Sequence, residues 1–171
     1  MTHTLKAVAL DLEGTLVDTV HKPLARPGLD DFLTFCRGRF ERLYLYTAAR
    51  NERALEVLDE LAARGTISRE NRAALSAVDW PHNQLHKDLR YIRDYRVEEI
   101  LFIDDDPLFV RPEQKSQWLP IDAGQGREGW DGDNEFARIM AAIVRYQQEG
   151  TLPHGEGITL PCEPRCRHVG P

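Results

Sequence analysis

The apolar run Ala7-Val8-Ala9-Leu10 ends in Asp11, and Glu13 follows two residues later, just before Gly14-Thr15. A buried parallel strand that delivers acids into a turn at its carboxyl end has this pattern. Residues at i and i+2 leave a strand on the same side, so Asp11 and Glu13 are expected to face one metal ion and one substrate atom. A second apolar run, Ile100-Leu101-Phe102-Ile103, ends in Asp104-Asp105-Asp106. Three adjacent acids at the end of a buried strand need a counter-ion. Thr47 closes a third run, Leu43-Tyr44-Leu45-Tyr46, and Lys87 precedes the acidic strand. Of 22 basic residues only four are lysines, which makes a lysine at such a position informative. A nucleophilic aspartate, a second acid, a hydroxyl, a lysine and an acidic cluster suit metal-assisted phosphoryl transfer through an aspartyl-phosphate.

These residues must be brought together by an alternation of strands and helices. Strands are predicted at 5–11, 42–47, 99–104 and 118–121. Helices are predicted from Leu29 through Cys36, from an N-cap at Asn51 to a stop at Gly65, briefly around 86–94, and from Phe136 through Val144. Residues 69–78 read either as a helix or as a helix running into a short strand. Such alternation implies an α/β fold with a mostly parallel central sheet flanked by helices, Rossmann-like, whose strand ends gather the polar residues at one edge. At 171 residues the chain fits one domain over 1–147, and composition shifts to Pro, Gly, His and Cys over 148–171, a loose or docked tail.

A net charge of −6 argues against a general phosphate-backbone binder but leaves phosphorylated nucleic-acid ends open as substrates. No run approaches the ~18 apolar residues of a membrane span, and the N-terminus enters a strand without a leader pattern. Three cysteines, Cys36 and two in the tail, do not make a disulfide framework. The expected location is the cytoplasm. Cys162, Cys166 and His168, with His154 nearby, do not match a standard zinc spacing. Trp80 and Trp118 read as packing residues or loop anchors.

The order Asp-x-acid-Gly-Thr, Thr, Lys, Asp-Asp over residues 7–106 resembles the four motifs of the haloacid dehalogenase superfamily of aspartate-nucleophile phosphatases. Arg26-Pro27-Gly28, Leu45-Tyr46-Thr47-Ala48, Arg69-Glu70, Lys87-Asp88-Leu89 and Ile103-Asp104-Asp105-Asp106-Pro107 are similar to its CTD-phosphatase-like, or NLI-interacting-factor-like, branch. The resemblance implies Asp11 as nucleophile and Mg²⁺ ligand, and Glu13 as general acid/base with its backbone carbonyl on the metal. It implies Thr47 and Lys87 at the phosphoryl oxygens and Asp105 as a direct Mg²⁺ ligand. Asp104 would act through a water or orient the site. Arg50, three residues after Thr47, is a further candidate substrate contact. Two positions depart from the pattern: Glu13 stands where the superfamily usually has Asp, and Asp106 where the branch has Ser.

Only about ten residues separate Leu16 from Arg26, and 48–86 must already supply helices, so no inserted cap domain is expected. The implied function is a Mg²⁺-dependent phosphomonoesterase acting on an accessible phosphate of a protein or a small molecule. The alternative is a catalytically weak or inactive module of the same fold that binds a phosphorylated or acidic partner, motivated by Glu13. Oligomeric state is not legible.

Overall fold

The computed structural model describes residues 4–81, 83–124 and 130–150. Its centre is a five-stranded parallel sheet formed by β1 (Ala7–Leu10), β2 (Arg42–Leu45), β3 (Leu75–Ala77), β4 (Ile100–Asp104) and β5 (Trp118–Pro120), in the order β3-β2-β1-β4-β5. Helices α1 (Leu29–Arg37), α2 (Asn51–Ala63), α3 (Arg69–Ala74) and α4 (Glu135–Glu149) complete it.

Strand alternation explains the two layers of core. Val8 and Leu10 of β1, with Leu101 and Ile103 of β4, point to one face, where Phe32 and Leu33 of α1, Val57 and Leu58 of α2 and Ile139 and Ile143 of α4 cover them. Ala7 and Ala9, with Ile100 and Phe102, point to the other face and meet Tyr46, Trp80, Leu89, Ile92 and Val110. Apart from Tyr46, which follows β2, that second layer comes from the connections between β3 and β4 and between β4 and β5. Both are built of short helical turns, among them Leu89–Tyr91 and Pro112–Gln117. The expected helix around 86–94 is reduced to the turn Leu89–Tyr91. Lys87 instead pairs in an isolated bridge with Val110, its amide donating to the Phe109 carbonyl at 2.8 Å, which holds the segment extended.

Connections from β1 to β2 to β3 run one way across the sheet, and from β4 to β5 the other. Right-handed crossovers therefore place them on opposite faces. The crevice opens where the direction reverses, between the carboxyl ends of β1 and β4.

Asn51 does not cap α2. Arg50 occupies the cap position, Asn51 is the first helical residue, and its Nδ2 donates instead to the Val78 carbonyl at 3.1 Å, tying α2 to the residue after β3. The segment 69–78 resolves into α3 followed by β3. Ser68 caps α3 by accepting from the Asn71 amide, and buried Asn71 reaches across to Asp30 and Thr34 of α1. The stretch from Leu16 to Arg26 folds into a small flap, with Val17 bridged to Ala25 and the Arg26 amide donating to Leu16. No inserted domain stands over the sheet edge among the described residues.

Candidate active site

Register brings the acids together. Leu10 lies opposite Ile103 in the β1–β4 pair, and the Asp11 amide donates to the Ile103 carbonyl at 3.0 Å, so Asp11 and Asp104 are neighbours across the crevice. Both continue the alternation that points Ala9 and Phe102 to the second face. Lys87, arriving on that face, donates from Nζ to Asp11 Oδ1 and to Asp104 Oδ2, each at 2.6 Å. The Lys87 and Asp104 side chains are 1% exposed and that of Asp11 8% exposed. Carboxylate oxygens of Asp11, Asp104 and Asp105 all lie within 4.8 Å of one another.

This geometry displaces the protonation equilibria. Burial pushes the Asp104 carboxyl up to about 7, and Asp11 pushes it the same way, against Lys87. Burial and then Asp11 push Asp105 up to about 6. Burial works against the charge of Lys87, but Asp11 and Asp104 more than offset it and hold its pKa above the ordinary value. Three carboxylates share one ammonium, leaving negative charge for which a hard cation with oxygen ligands is the natural complement.

The other sequence candidates take different places. The alternation expected to put Glu13 beside Asp11 stops when β1 ends at Leu10. Gly14 then turns the chain at φ 76°, and Glu13 Oε1 accepts from the Val20 amide in the flap at 2.9 Å. The carboxylate grouped with Asp11 and Asp104 is that of Asp105. A Cβ on Gly14 would stand 2.6 Å from Asp105 Oδ2, so this turn requires glycine both for its backbone angle and for the approach of the carboxylate. Thr47 is buried at the end of β2, and its hydroxyl accepts from the Ala49 amide at 3.1 Å. Arg50 is exposed on the residue preceding α2. Asp106 is engaged as a cap: its Oδ1 accepts from the Leu108 amide, while its own amide donates to Asp104 Oδ1, each at 2.9 Å.

Other residues support these strand ends, among them Trp80 and Trp118, expected as packing residues or loop anchors. Trp80 Nε1 donates to the Thr47 carbonyl at 3.0 Å, and Trp118 Nε1 to the Asp104 carbonyl at 2.9 Å, so two indoles hold the strand ends that carry the site. Asp88, next to Lys87, accepts from Arg90, Arg111 and Gln114. Burial alone would raise its carboxyl, but the hydrogen bonds from Arg90 and Gln114 hold it well below the usual range. Arg90 is two residues away, but the other two partners, Arg111 and Gln114, come from a sequence-distant turn, so the role of Asp88 was not legible locally. His82 and the tail residues His154, Cys162, Cys166 and His168 lie outside the described residues.

The family model for NLI interacting factor-like phosphatases matches residues 6–146, a span that contains every member of the cluster. The chain belongs to that family. Among solved structures it is similar to a variant of the fission yeast RNA polymerase II CTD phosphatase Fcp1 bound to beryllium fluoride. That match has 15% identity and a TM-score of 0.51 over 85% of this chain and 51% of that one. It is also similar to another structure of Fcp1, an essential RNA polymerase II CTD phosphatase, with 16% identity and a TM-score of 0.51 over 87% of this chain and 51% of that one. The chain thus spans about half the length of these neighbours, and at this identity the likeness establishes a common fold. A search of the curated proteins finds no match. The five-stranded parallel sheet with its acids at one edge is the haloacid dehalogenase-type core expected of an NLI interacting factor-like phosphatase.

Proposed function

We propose that this chain is a Mg²⁺-dependent phosphomonoesterase that works through an aspartyl-phosphate on Asp11. The observation that carries the reading is the convergence of Asp11, Asp104 and Asp105 within 4.8 Å, with Lys87 between two of them. The Asp11 carboxylate attacks phosphorus as the bond to the leaving oxygen breaks, and Glu13 protonates that oxygen. Glu13 then takes a proton from the water that cleaves the acyl phosphate. Lys87 and the Thr47 hydroxyl stabilise the phosphoryl oxygens, with Arg50 at the rim. Asp11, Asp105 and the Glu13 carbonyl would hold Mg²⁺, with Asp104 in support, and the ion would neutralise charge on the transferring group.

A phosphorylated protein segment is the favoured substrate. The crevice carries no inserted domain among the described residues, and both neighbours are named as RNA polymerase II CTD phosphatases. Exposed Leu85 and Leu108 flank Lys87 and Asp106 in the chain and offer apolar contact to such a segment. We read 1–147 as the phosphatase domain, 148–171 as its tail, and the cytoplasm as the location. No helix among the described residues is long and apolar enough to cross a membrane.

Turnover of an aryl phosphate with and without EDTA tests the activity. Asp11→Asn should abolish metal-dependent phosphate release, and Glu13→Gln should slow it roughly 10²–10⁴-fold. Wild-type rates in Asp11→Asn would end the mechanism. A panel of phosphopeptides, phosphometabolites and phosphorylated oligonucleotides then separates the substrate classes. The engagement of Glu13 by the Val20 amide favours one second reading, a binding module with little turnover. Tight phosphopeptide binding without phosphate release would select it.

A further inference from the structure

Arg26 is buried among the motif residues without touching the acid cluster. Its side chain is fully buried, and its Nη2 donates to the Gly14 carbonyl at 3.1 Å and to the Asp122 carbonyl. Its guanidinium lies 4.2 Å from the centre of the Trp130 ring and 5.6 Å from that of Phe136 on α4. Asp133 Oδ2 stands 3.5 Å from Nε, yet among the described residues neither Nε nor Nη1 finds a hydrogen-bond acceptor. Burying a guanidinium so incompletely paired is costly. The two hydrogen bonds it does make both go to loops at the carboxyl edge of the sheet: the one after β1, and the one after β5.

Gly14 is the point at which the first of those loops meets the acids, since its backbone leaves no room for a Cβ beside Asp105. The Thr15 hydroxyl, one residue on, is 3.5 Å from Asp105 Oδ1. Displacing the Gly14 carbonyl therefore displaces the wall against which the Asp105 carboxylate rests. Resting on the metal-binding reading above, we infer that Arg26 is a positioning residue for the cation site. From behind the crevice it fixes the Gly14 turn, and so sets the orientation of Asp105 and the direction of the neighbouring Glu13 carbonyl. Both carbonyls are held by the two hydrogens of one terminal nitrogen, Nη2, on a planar group packed against Trp130 and Phe136. Lysine at this position keeps the charge but loses that planar packing, which fixes where the donor stands.

The test is Mg²⁺ titration of the full chain by calorimetry, alongside thermal melting and steady-state kinetics on an aryl phosphate. Arg26→Lys should stay folded and bind Mg²⁺ about 10–100-fold more weakly, the usual effect of losing a group that orients a metal ligand. Its kcat should recover as Mg²⁺ is raised, while KM stays unchanged. Gly14→Ala, whose Cβ would press directly on Asp105, should weaken Mg²⁺ to a similar degree. If Arg26→Lys fails to fold, Arg26→Gln decides the matter by the same titration and the same criteria. Wild-type Mg²⁺ affinity in a folded Arg26→Lys, with only a lowered melting temperature, would overturn the inference, as would wild-type affinity in Gly14→Ala. Absence of Mg²⁺ binding by the wild-type chain would instead overturn the metal reading of the site, and this inference with it.

Discussion

Lys87 and Arg26 are both buried cations that serve the same edge of the sheet, one from the front of the crevice and one from behind. Lys87 has two carboxylates at 2.6 Å and raises no unmet demand of its own. Arg26 has one carboxylate at 3.5 Å, two backbone carbonyls and two aromatic rings, with two nitrogens left without acceptors among the described residues. The difference matches their surroundings. A point charge in front of the acids can exchange a carboxylate for a phosphoryl oxygen without rebuilding the site. A forked, weakly hydrated cation behind them holds backbone in place and has nothing to exchange.

Removing each charge separates these roles. Lys87→Met should lower kcat about 10²–10³-fold, as for loss of one donor to the transition-state charge. It should also destabilise the metal-free chain by about 3–5 kcal/mol, because it strands two buried carboxylates. Arg26→Met strands carbonyls and the Asp133 carboxylate and should cost less, about 1–3 kcal/mol. Urea unfolding of both variants in EDTA measures the ordering, and a larger loss in Arg26→Met would break the comparison.

Proton linkage sharpens it further. Because Asp104 and Asp105 titrate near 7 and 6 in the fold, above the ordinary aspartate value of 3.8, the metal-free native state binds more protons than the unfolded chain in between. Stability contributed by these two groups is present in full at low pH and lost as pH rises through about 6 and 7. Asp30 and Glu135, whose pKa values are lowered, act in the opposite sense but below about pH 5. In EDTA the melting temperature should therefore fall between about pH 5 and 7.5. Mg²⁺ should restore it increasingly as pH rises, and Lys87→Met should steepen the fall. A flat profile would show that Lys87 already balances the acids.

The smallest expected effect concerns the indoles. Trp118→Phe removes the hydrogen bond to the Asp104 carbonyl and should cost about 1 kcal/mol with modest loss of rate, read by melting and kinetics together.

Much of this was legible because local pattern and tertiary role coincide. The apolar runs before Asp11 and Asp104 could only be buried strands, and the helical repeat from Leu29 to Cys36 recurs as α1. Where partners come from distant segments, the pattern failed. Asn51 looks like a helix cap until Val78 takes its amide group, and Glu13 looks strand-aligned until Gly14 turns the chain. The segment around Lys87 reads as helix because its pairing with Val110 cannot be seen locally.

The order of motifs along the chain determined the fold class, the family and which side chains could do chemistry, since residue type and strand period are local properties. The three-dimensional arrangement alone decided that the Glu13 carboxylate turns away to the Val20 amide, which backbone carbonyls Trp80 and Trp118 hold, and that Arg26 reaches the Gly14 turn. Those outcomes depend on register between strands, on one glycine's backbone angle and on what burial leaves unpaired. Each is a property of several segments at once, and no single stretch of sequence carries it.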